Sequence, residues 1–289
     1  MSGRALFDGI AEQMDRLRAV SVNPGDAVLL RADYSPPTVA MLLALIECES
    51  IVVPLAPATA ERSPELIDIA DPTWIVDIDG DGHVTMSRRK AGERNDLYKT
   101  LAERGNPGLV LFTSGSTGKP KAVVHDFSRL LAKFAKPRPP MVLLNFLMFD
   151  HWGGLNTLLH GLATGSLIVL PENRNPEYIC ALVERHGIEL LPVTPTFLNL
   201  LLISRAHETR DMRSLKVISY GAEPMPIPTL EGLRRMFPNV ELRQTYGMIE
   251  LGVLRAKSKS SDSLSGGANP TNRIRTESLV RGLESDLVV

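Results

Sequence analysis

The stretch "LVLFTSGSTGKPKAVVHD", residues 109–126, changes character at Phe112, where a run of large apolar residues gives way to small polar ones. Residues 113–118 are all Thr, Ser or Gly, and Lys119 and Lys121 follow directly. Glycine lets backbone N–H groups approach an anion without an intervening Cβ, while hydroxyl and ammonium groups donate to phosphate oxygens. The pattern therefore favours a polyphosphate-binding loop after a buried strand.

Two better-known glycine motifs do not fit this stretch. The kinase-type phosphate loop requires G-x-x-x-x-G-K-[ST], and here Pro120 stands where the magnesium-binding hydroxyl belongs. The spacing is not that of the dinucleotide fingerprint G-x-G-x-x-G either. A flexible linker is the alternative that the Gly and Ser content alone favours. The strong apolar segments on both sides argue against a linker.

The bulk composition indicates a globular protein with a substantial core. The chain has 289 residues, 44% of them hydrophobic, and a formal net charge of −1. This balance gives no reason to expect a nucleic acid or an anionic membrane surface as a partner. The two cysteines, Cys48 and Cys180, are far apart in apolar contexts. We predict two buried thiols in a reducing compartment, not a disulfide or a metal site.

The most apolar part of the chain is the run "VAMLLALIECESIVVPLA" at residues 39–56, which Glu47, Glu49 and Ser50 interrupt. A membrane span needs a longer uninterrupted apolar stretch, so no span is predicted. The N-terminus, "MSGRALFDGI", has no apolar stretch typical of a signal peptide. The sequence alone therefore predicts a soluble cytoplasmic protein.

Predicted strands alternate with predicted helices over most of the chain. The helical segments are residues 6–17, 36–48, 153–165, 175–187, 196–204 and 228–238. The strand segments lie within residues 23–31, 50–57, 73–79, 107–112, 141–149, 166–171, 188–195, 215–221 and 240–247. Residues 80–105 are polar and are predicted to be a loop with a surface helix. The alternation predicts an α/β fold of mostly parallel sheets covered by helices.

Residues 112–125, "FTSGSTGKPKAVVH", resemble the phosphate-loop signature of the acyl-adenylate-forming (AMP-binding) superfamily. This superfamily contains acyl- and aryl-CoA synthetases, adenylation domains of peptide synthetases, and firefly luciferase. Further segments resemble its other motifs in the same order: "FDHWGGL" (149–155), "VTPTFLNLLL" (193–202), "ISYGAEPMP" (218–226) and "QTYGMIE" (244–250). The resemblance covers roughly residues 25–255.

The resemblance implies a reaction of a small carboxylic acid with ATP and Mg²⁺, giving acyl-AMP and pyrophosphate. The acyl group then passes to CoA or to the phosphopantetheine thiol of a carrier protein. The implied phosphate-binding residues are Thr113, Ser114, Gly115, Ser116, Thr117, Gly118, Lys119 and Lys121. The implied adenine-site residues are Gly221, Ala222, Glu223, Pro224, Gln244, Thr245, Tyr246 and Gly247.

Two more residues receive catalytic roles from the resemblance. Glu250 would hold Mg²⁺, and His151 would lie against the carboxylate. Each has an ordinary alternative: a solvated glutamate after a turn for Glu250, and a structural histidine for His151. Tyr246 offers a face for adenine stacking, or is a core tyrosine. The other histidines near these motifs, namely His125, His160, His186 and His207, are predicted to be structural or on the surface.

The sequence departs from the superfamily pattern in several places. Ile249 stands where a threonine is usual, and the resemblance stops near Leu254. We expect residues 1–255 to form a shortened N-terminal core domain and residues 256–289, rich in Ser and Gly, a disordered tail. We find no later T-G-D segment with a ribose-binding aspartate, and no C-terminal domain with its catalytic lysine.

These departures leave three functions open. The chain could be a ligase completed by a separately encoded C-terminal domain. It could be a truncated pseudoenzyme that binds nucleotide or acyl ligand without turnover. It could also be a scaffold that keeps only the fold. The sequence does not distinguish an aryl from an alkyl acid substrate.

Overall fold

The computed structural model describes residues 1–90, 92, 95–113, 119–135, 138–248, 252–255 and 287–288. These residues form two compact units. Unit 1 comprises the described residues of Met1–Lys133, Met148–His151 and Glu284–Val289, and unit 2 those of Phe134–Leu147 and Trp152–Leu283.

Helices and strands alternate along the described chain. The α-helices are α1 (Gly3–Ala19), α2 (Pro36–Glu47), α3 (Ser63–Ala70), α4 (Asp96–Glu103), α5 (Phe127–Ala132), α6 (Trp152–Thr164), α7 (Pro176–His186), α8 (Pro195–Ser204) and α9 (Ile227–Met236). Short 3-10 helices span Pro57–Arg62 and Ala206–Thr209. The strands are β1 (Ala27–Arg31), β2 (Ile51–Leu55), β3 (Trp74–Ile78), β4 (Val84–Arg88), β5 (Gly108–Thr113), β6 (Lys121–Asp126), β7 (Val142–Leu144), β8 (Leu167–Val169), β9 (Leu190–Val193), β10 (Val217–Tyr220), β11 (Glu241–Met248), β12 (Gly252–Arg255) and β13 (Leu287–Val288).

Unit 1 is built on a mixed sheet with the strand order β13-β6-β5-β2-β1-β3-β4. The central strands β5, β2, β1 and β3 run parallel. β6 pairs antiparallel with β5, β4 with β3, and β13 with β6. β2 is buried along its whole length and β1 along all but Arg31, as expected for parallel strands covered on both faces. Leu29 lies opposite Val53 in the β1–β2 register, and both are fully buried.

Unit 2 is built on a second sheet with the order β12-β11-β10-β9-β7-β8. Its strands run parallel except for β12, which pairs antiparallel with β11. Helices α7 and α8 pack on this sheet through buried residues such as Cys180, Val183 and Leu198. The α/β fold with mostly parallel sheets, predicted from the alternation, is therefore confirmed.

Local signals set the ends of α7 as the sequence predicted. The Asn175 side chain accepts a hydrogen bond from the backbone N–H of Tyr178 at 2.8 Å and caps the first turn. Pro176 occupies the first helical position. Gly187 ends the helix with φ of +62°, a conformation that costs glycine nothing.

The prediction for residues 80–105 was wrong in part. The surface helix exists as α4, but residues 84–88 form β4, which pairs antiparallel with β3. Strand β4 lies at the sheet edge, and none of its side chains is fully buried. Its polar composition concealed it, because an edge strand needs no continuous apolar pattern. The predicted strand at 141–149 is also shorter, since β7 ends at Leu144.

Only one of the two cysteines is buried, although the sequence predicted that both would be. Cys180 is buried and Cys48 half-buried, and both are free thiols. Within the described residues, no helix has both the length and the apolar character needed to cross a bilayer. The predicted tail, residues 256–289, lies outside the described residues except for the backbone of β13, so the expectation of disorder stays a prediction.

Candidate functional site

The candidate residues of unit 2 gather at one edge of its sheet. Strands β9, β10 and β11 are parallel, so their carboxyl ends lie on the same side. Residues 194–196 follow β9, residues 221–224 follow β10, and Gln244 and Thr245 are the two middle residues of β11. Ligands of open α/β sheets bind at the carboxyl ends of the strands. This edge of unit 2 is therefore its candidate binding edge.

Gly221 allows the segment after β10 to lie directly against β11. A Cβ placed on Gly221 would be 2.5 Å from the Thr245 carbonyl oxygen and 2.6 Å from its Oγ1. Because real Cβ atoms do not approach backbone so closely, only glycine fits here. The Thr245 hydroxyl in turn donates to the Tyr220 carbonyl oxygen at 3.1 Å. Two segments singled out in the sequence thus form one continuous surface.

The segment after β10 also contacts helix α8. The Glu223 carboxylate accepts hydrogen bonds from Thr196, from the backbone N–H at 3.2 Å and from Oγ1 at 2.5 Å. Thr196 is the second residue of α8, whose first turn is capped by the Thr194 hydroxyl. A carboxylate is favourable at a helix N-terminus because the N–H groups there lack partners within the helix. The Glu223 side chain therefore binds the N-terminus of α8, while the backbone of residues 221–224 lies at the carboxyl edge of the sheet.

Backbone geometry at this edge departs from the usual pattern. Ala222 has φ of +68°, in the left-handed region that L-residues seldom adopt. Such a conformation costs free energy and persists where surrounding contacts hold it, here next to the Gly221 and Glu223 contacts. Burial raises the pKa of the preceding Tyr220, so its phenol remains neutral.

In unit 1, the predicted phosphate loop connects two paired strands. Thr113, the last residue of β5, lies opposite Lys121, the first residue of β6. Lys119 and Lys121 are both exposed, and neither has an ion-pair partner among the described residues. Two exposed ammonium groups, one of them opposite Thr113, suit an anionic ligand such as a polyphosphate. The residues present therefore fit the predicted ligand.

His151 belongs to the short segment Met148–His151 of unit 1. The neighbouring residue Asp150 anchors this segment by hydrogen bonds. The His151 side chain is exposed, and its backbone N–H donates to the Met148 carbonyl oxygen at 3.2 Å. Asp150 Oδ2 accepts hydrogen bonds from Ala56 N–H at 3.1 Å and Thr59 Oγ1 at 3.2 Å. Both partners follow β2, so Asp150 fixes the segment to the carboxyl end of that strand.

Several predicted site residues lie outside the described residues. They are Ser114, Gly115, Ser116, Thr117, Gly118 and Glu250. Tyr246 and Gly247 belong to β11 by their backbone, and the side chain of Tyr246 is likewise outside the description. Their roles at phosphate, adenine and Mg²⁺ stay predictions.

Two residues of these edges were not singled out in the sequence. Thr196 lies within the quoted motif "VTPTFLNLLL", and Asp150 directly precedes His151 in "FDHWGGL". The motifs pointed to the right segments. However, the hydrogen bonds of Thr196 and Asp150 join residues 27 and at least 91 positions apart, which no local pattern reveals.

Residues 10–275 match the AMP-binding enzyme family. The chain belongs to this family. The match covers most of the chain, and it confirms the superfamily resemblance drawn from the phosphate-loop signature and the motifs that follow it.

Curated proteins with similar sequences include CoA ligases. 4-coumarate–CoA ligase-like 5 of Oryza sativa subsp. japonica is 29% identical over 222 residues, covering 69% of this chain and 39% of that protein. 2-succinylbenzoate–CoA ligase of Bacillus pumilus is 28% identical over 265 residues, covering 86% of this chain and 53% of that protein. The chain thus spans about half or less of the length of these relatives.

Solved structures of similar fold include N-terminal parts of AMP-binding enzymes. The N-terminal subdomain of NpsA from Klebsiella oxytoca, bound to 3-hydroxyanthranilyl-AMSN, superposes with a TM-score of 0.72 at 17% identity, covering 90% of this chain and 70% of that one. The luciferase-like enzyme of the mealworm Zophobas morio gives a TM-score of 0.67 at 19% identity, with coverage of 85% and 65%. These similarities confirm the fold of the N-terminal adenylate-forming domain.

Proposed function

We propose that this chain activates a small carboxylic acid with ATP. A carboxylate oxygen attacks the α-phosphorus, the bond to the β-phosphate breaks, and pyrophosphate leaves with its electron pair. The thiol of CoA or of a carrier protein then attacks the acyl carbonyl, forming a thioester and releasing AMP. Membership of the AMP-binding family and the ligase names of its relatives support this reaction type.

The first step brings an anionic carboxylate against an anionic polyphosphate, so the site must offset charge and align the partners. Lys119 and Lys121 are exposed cations without ion-pair partners among the described residues, and we assign them to the β- and γ-phosphates. Thr113 adds a hydroxyl donor at the start of the loop. Glu250 is the residue we assign to Mg²⁺, which supplies charge neutralisation on the phosphates when bound.

The single observation that carries the proposal is the approach of Gly221 to Thr245. The space for a Cβ is filled by the Thr245 carbonyl oxygen, so the backbone at Gly221 lies close against β11. Backbone without an intervening side chain, at the carboxyl edge of parallel strands, suits the close approach of a planar base. We assign this surface to adenine, with Tyr246 as the stacking residue. Glu223 contributes by its bonds to Thr196, which hold the segment in place.

We infer an aryl acid as the substrate class. The support comes from relatives named for 4-coumarate and for 2-succinylbenzoate, both matched over more than two thirds of this chain. We place His151 beside the substrate carboxylate, because Asp150 anchors its segment to the end of β2. ATP and CoA are intracellular metabolites, so the proposal also places the protein in the cytoplasm. A carrier protein or a separate C-terminal domain is the proposed partner.

One sequence feature favours a second candidate, binding without turnover. Ile249 replaces the usual threonine, which removes a hydroxyl that would contact the α-phosphate. A lost hydrogen bond to a charged group costs about 1.5–3 kcal/mol, enough to slow turnover about tenfold to more than a hundredfold. Nucleotide and acid binding need not suffer to the same extent.

Two measurements on the full chain test these functions. The first is thermal unfolding with and without MgATP, because a ligand that binds the folded state raises the melting temperature. The wild type should shift, and Lys119→Ala/Glu250→Gln should not. The matched control Lys90→Ala/Glu231→Gln removes an exposed lysine and an exposed glutamate elsewhere and should shift like wild type.

The second measurement is acid-dependent pyrophosphate release, using 4-coumarate, 2-succinylbenzoate, octanoate and phenylalanine. Release with an aryl acid supports the ligase. A thermal shift with no release for any acid supports binding without turnover. No shift and no release would overturn both and leave a scaffold role.

A further inference from the structure

Unit 2 also contains a cleft that residues 221–224 and 244–245 do not line. It has a volume of about 440 Å³ and is bounded by α8, α9 and the 3-10 helix Ala206–Thr209. The cleft is wide open to solvent, and its volume lies within the range of small-molecule sites. Its lining residues are Leu202, Arg205, His207, Glu208, Pro228, Gly232, Arg235 and Met236.

The shape of the cleft follows from the packing of α9 against α8. Pro228, Gly232, Arg235 and Met236 recur at helical spacing and so lie on one face of α9. A Cβ on Gly232 would be 2.8 Å from Leu202 Cδ1, so the helices meet closely at this glycine. The apolar surfaces of Leu202 and Met236 lie beside this contact and give the cleft an apolar wall.

The charged residues of the cleft are incompletely neutralised. Arg235 is exposed and has no ion-pair partner among the described residues. Arg205 Nε lies 3.8 Å from Glu208 Oε1, and both side chains are more than half exposed, so their attraction is weak. Two guanidinium groups against one carboxylate leave a net positive charge. Guanidinium groups match the oxygens of carboxylates and phosphates in paired hydrogen bonds.

His207 provides a buried polar group in the same wall. Its side chain is 8% exposed, and Nδ1 is buried with no hydrogen-bond partner among the described residues. Nε2 lies 3.9 Å from Glu208 Oε1, and the ring packs edge-on against Phe237 at 6.1 Å between centroids. An unpartnered buried nitrogen costs free energy unless a ligand or water meets it. His207 was predicted to be structural or on the surface, and here it lines a cavity.

An adjoining cleft also contains arginines, but carboxylates already pair with them. It has a volume of about 580 Å³ and shares His207 and Met236 with the first. Its arginines are already paired, Arg210 with Glu184 at 3.0 Å and Arg213 with Asp211 at 2.5 Å. Only the first cleft therefore combines an apolar wall with an arginine free of carboxylate partners among the described residues.

We propose that the cleft between α8 and α9 is a second ligand site, which takes an organic anion with an apolar body. The oxyanion head binds Arg235 and Arg205, and the body lies on Leu202 and Met236. Carboxylates and phosphate esters share this head chemistry. The site is separate from the proposed adenylation edge, because none of its lining residues is among the candidate residues of that edge.

The test is a titration of the ¹⁵N-labelled full chain, followed by backbone NMR shifts. The probes are 3-phenylpropionate, phenyl phosphate, and the neutral 3-phenylpropionamide. We expect saturable shifts at Gly232, Arg235 and His207 with at least one anion, and affinity at least about tenfold weaker for the amide. Binding of one anion and not the other identifies the head group as carboxylate or phosphate.

Charge variants decide whether Arg235 holds the anion. Arg235→Gln should weaken binding at least about tenfold. Arg185→Gln removes another exposed arginine, from α7 outside the cleft, and should leave affinity unchanged. Circular dichroism of both variants confirms folding. The proposal is overturned if neither anion shifts these residues, if the amide binds equally well, or if Arg235→Gln binds like Arg185→Gln. Shifts confined to residues 220–224 would also overturn it and would report the adenylation edge instead.

Discussion

Glu223 and Thr196, 27 positions apart in the chain, are joined by two hydrogen bonds to one carboxylate oxygen. The bonds connect the segment after β10 to the first turn of α8. The Glu223 carboxylate gives the Thr196 N–H, which has no partner within the helix, a hydrogen-bond acceptor. Its negative charge is also attracted to the positive end of the helix dipole. The Glu223 side chain therefore holds the segment after β10 against α8. This segment lies at the carboxyl edge of unit 2, where we propose that a nucleotide binds.

Replacing Glu223 with alanine should therefore destabilise unit 2. We expect a loss of about 0.5–1.5 kcal/mol in the free energy of unfolding, because the contact is exposed to solvent. Urea unfolding followed by circular dichroism measures this change. Glu231→Ala, on the exposed surface of α9, is the matched control and should change stability by less than about 0.5 kcal/mol. Equal losses in the two variants would contradict the role of the Thr196 contact.

Gly221→Ala should be more disruptive than its size implies. The new methyl group would lie 2.5 Å from the Thr245 carbonyl oxygen, so either the segment after β10 or strand β11 must shift. We expect a loss of about 1–3 kcal/mol, measured by urea unfolding. Gly3→Ala, in α1, has no atom within 4 Å of the new Cβ and should stay within about 0.5 kcal/mol of wild type. A Gly221→Ala protein as stable as Gly3→Ala would refute the close approach.

Asp150→Ala should loosen the segment that carries His151. The substitution leaves the backbone N–H of Ala56 without its acceptor and costs about 1–3 kcal/mol. Asp150→Asn keeps an acceptor oxygen at the same place and should recover most of that loss. Hydrogen exchange at Ala56 reports the contact directly, with faster exchange expected in Asp150→Ala only. Unchanged exchange there would show that the bond contributes nothing to stability.

The two thiols should react at very different rates. Burial, with a smaller contribution from Glu177, raises the pKa of Cys180 to about 12, so almost no thiolate forms near neutral pH. Burial also raises the pKa of Cys48, which is only half-buried. Iodoacetamide labelling followed by mass spectrometry should modify Cys48 first and Cys180 only after unfolding. Faster labelling of Cys180 in the native protein would contradict the packing of α7.

The Asp211 carboxyl group should titrate at unusually low pH. Side-chain and backbone hydrogen bonds from Arg213 lower its pKa from an ordinary 3.8 to about 2. A depressed folded-state pKa stabilises the fold above the unfolded-state value, and this contribution is lost as the pH falls from about 4 to about 2. Carboxyl-carbon NMR measures the titration. Arg213→Gln should move the pKa back towards its ordinary value, and an unmoved pKa would exclude Arg213 as the cause.

Local sequence signals were sufficient where residues adjacent in the chain determine the structure. Asn175 and Gly187 fixed both ends of α7 because capping and left-handed termination depend on a few adjacent residues. The continuous apolar run of β5 likewise predicted a buried strand. Strand β4 was missed because it exists only through its pairing with β3 at the sheet edge.

The candidate site could be predicted as a set of segments but not as a set of contacts. The superfamily resemblance pointed to residues 113–121, 218–226 and 244–250 without any geometry. Tertiary structure alone brings the partners of these hydrogen bonds together, because they are far apart in the chain. The bonds run from Ala56 and Thr59 to Asp150, and from Thr196 to Glu223. Nor does composition reveal a cleft such as that between α8 and α9, because Arg235 and His207 meet there only through helix packing.

The strand order of unit 1 has a consequence for the sequence of folding events. Ile51 of β2 lies opposite Gly108 of β5, with β3, β4 and α4 in the chain between them. Closing a loop of this length costs entropy before the paired strands repay it. In unit 2, β9, β10 and β11 are neighbours in both chain and sheet, and only helical segments without intervening strands separate them. The β5–β6 hairpin that presents Lys119 and Lys121 is thus expected to join its sheet late, after the β9–β11 register has formed.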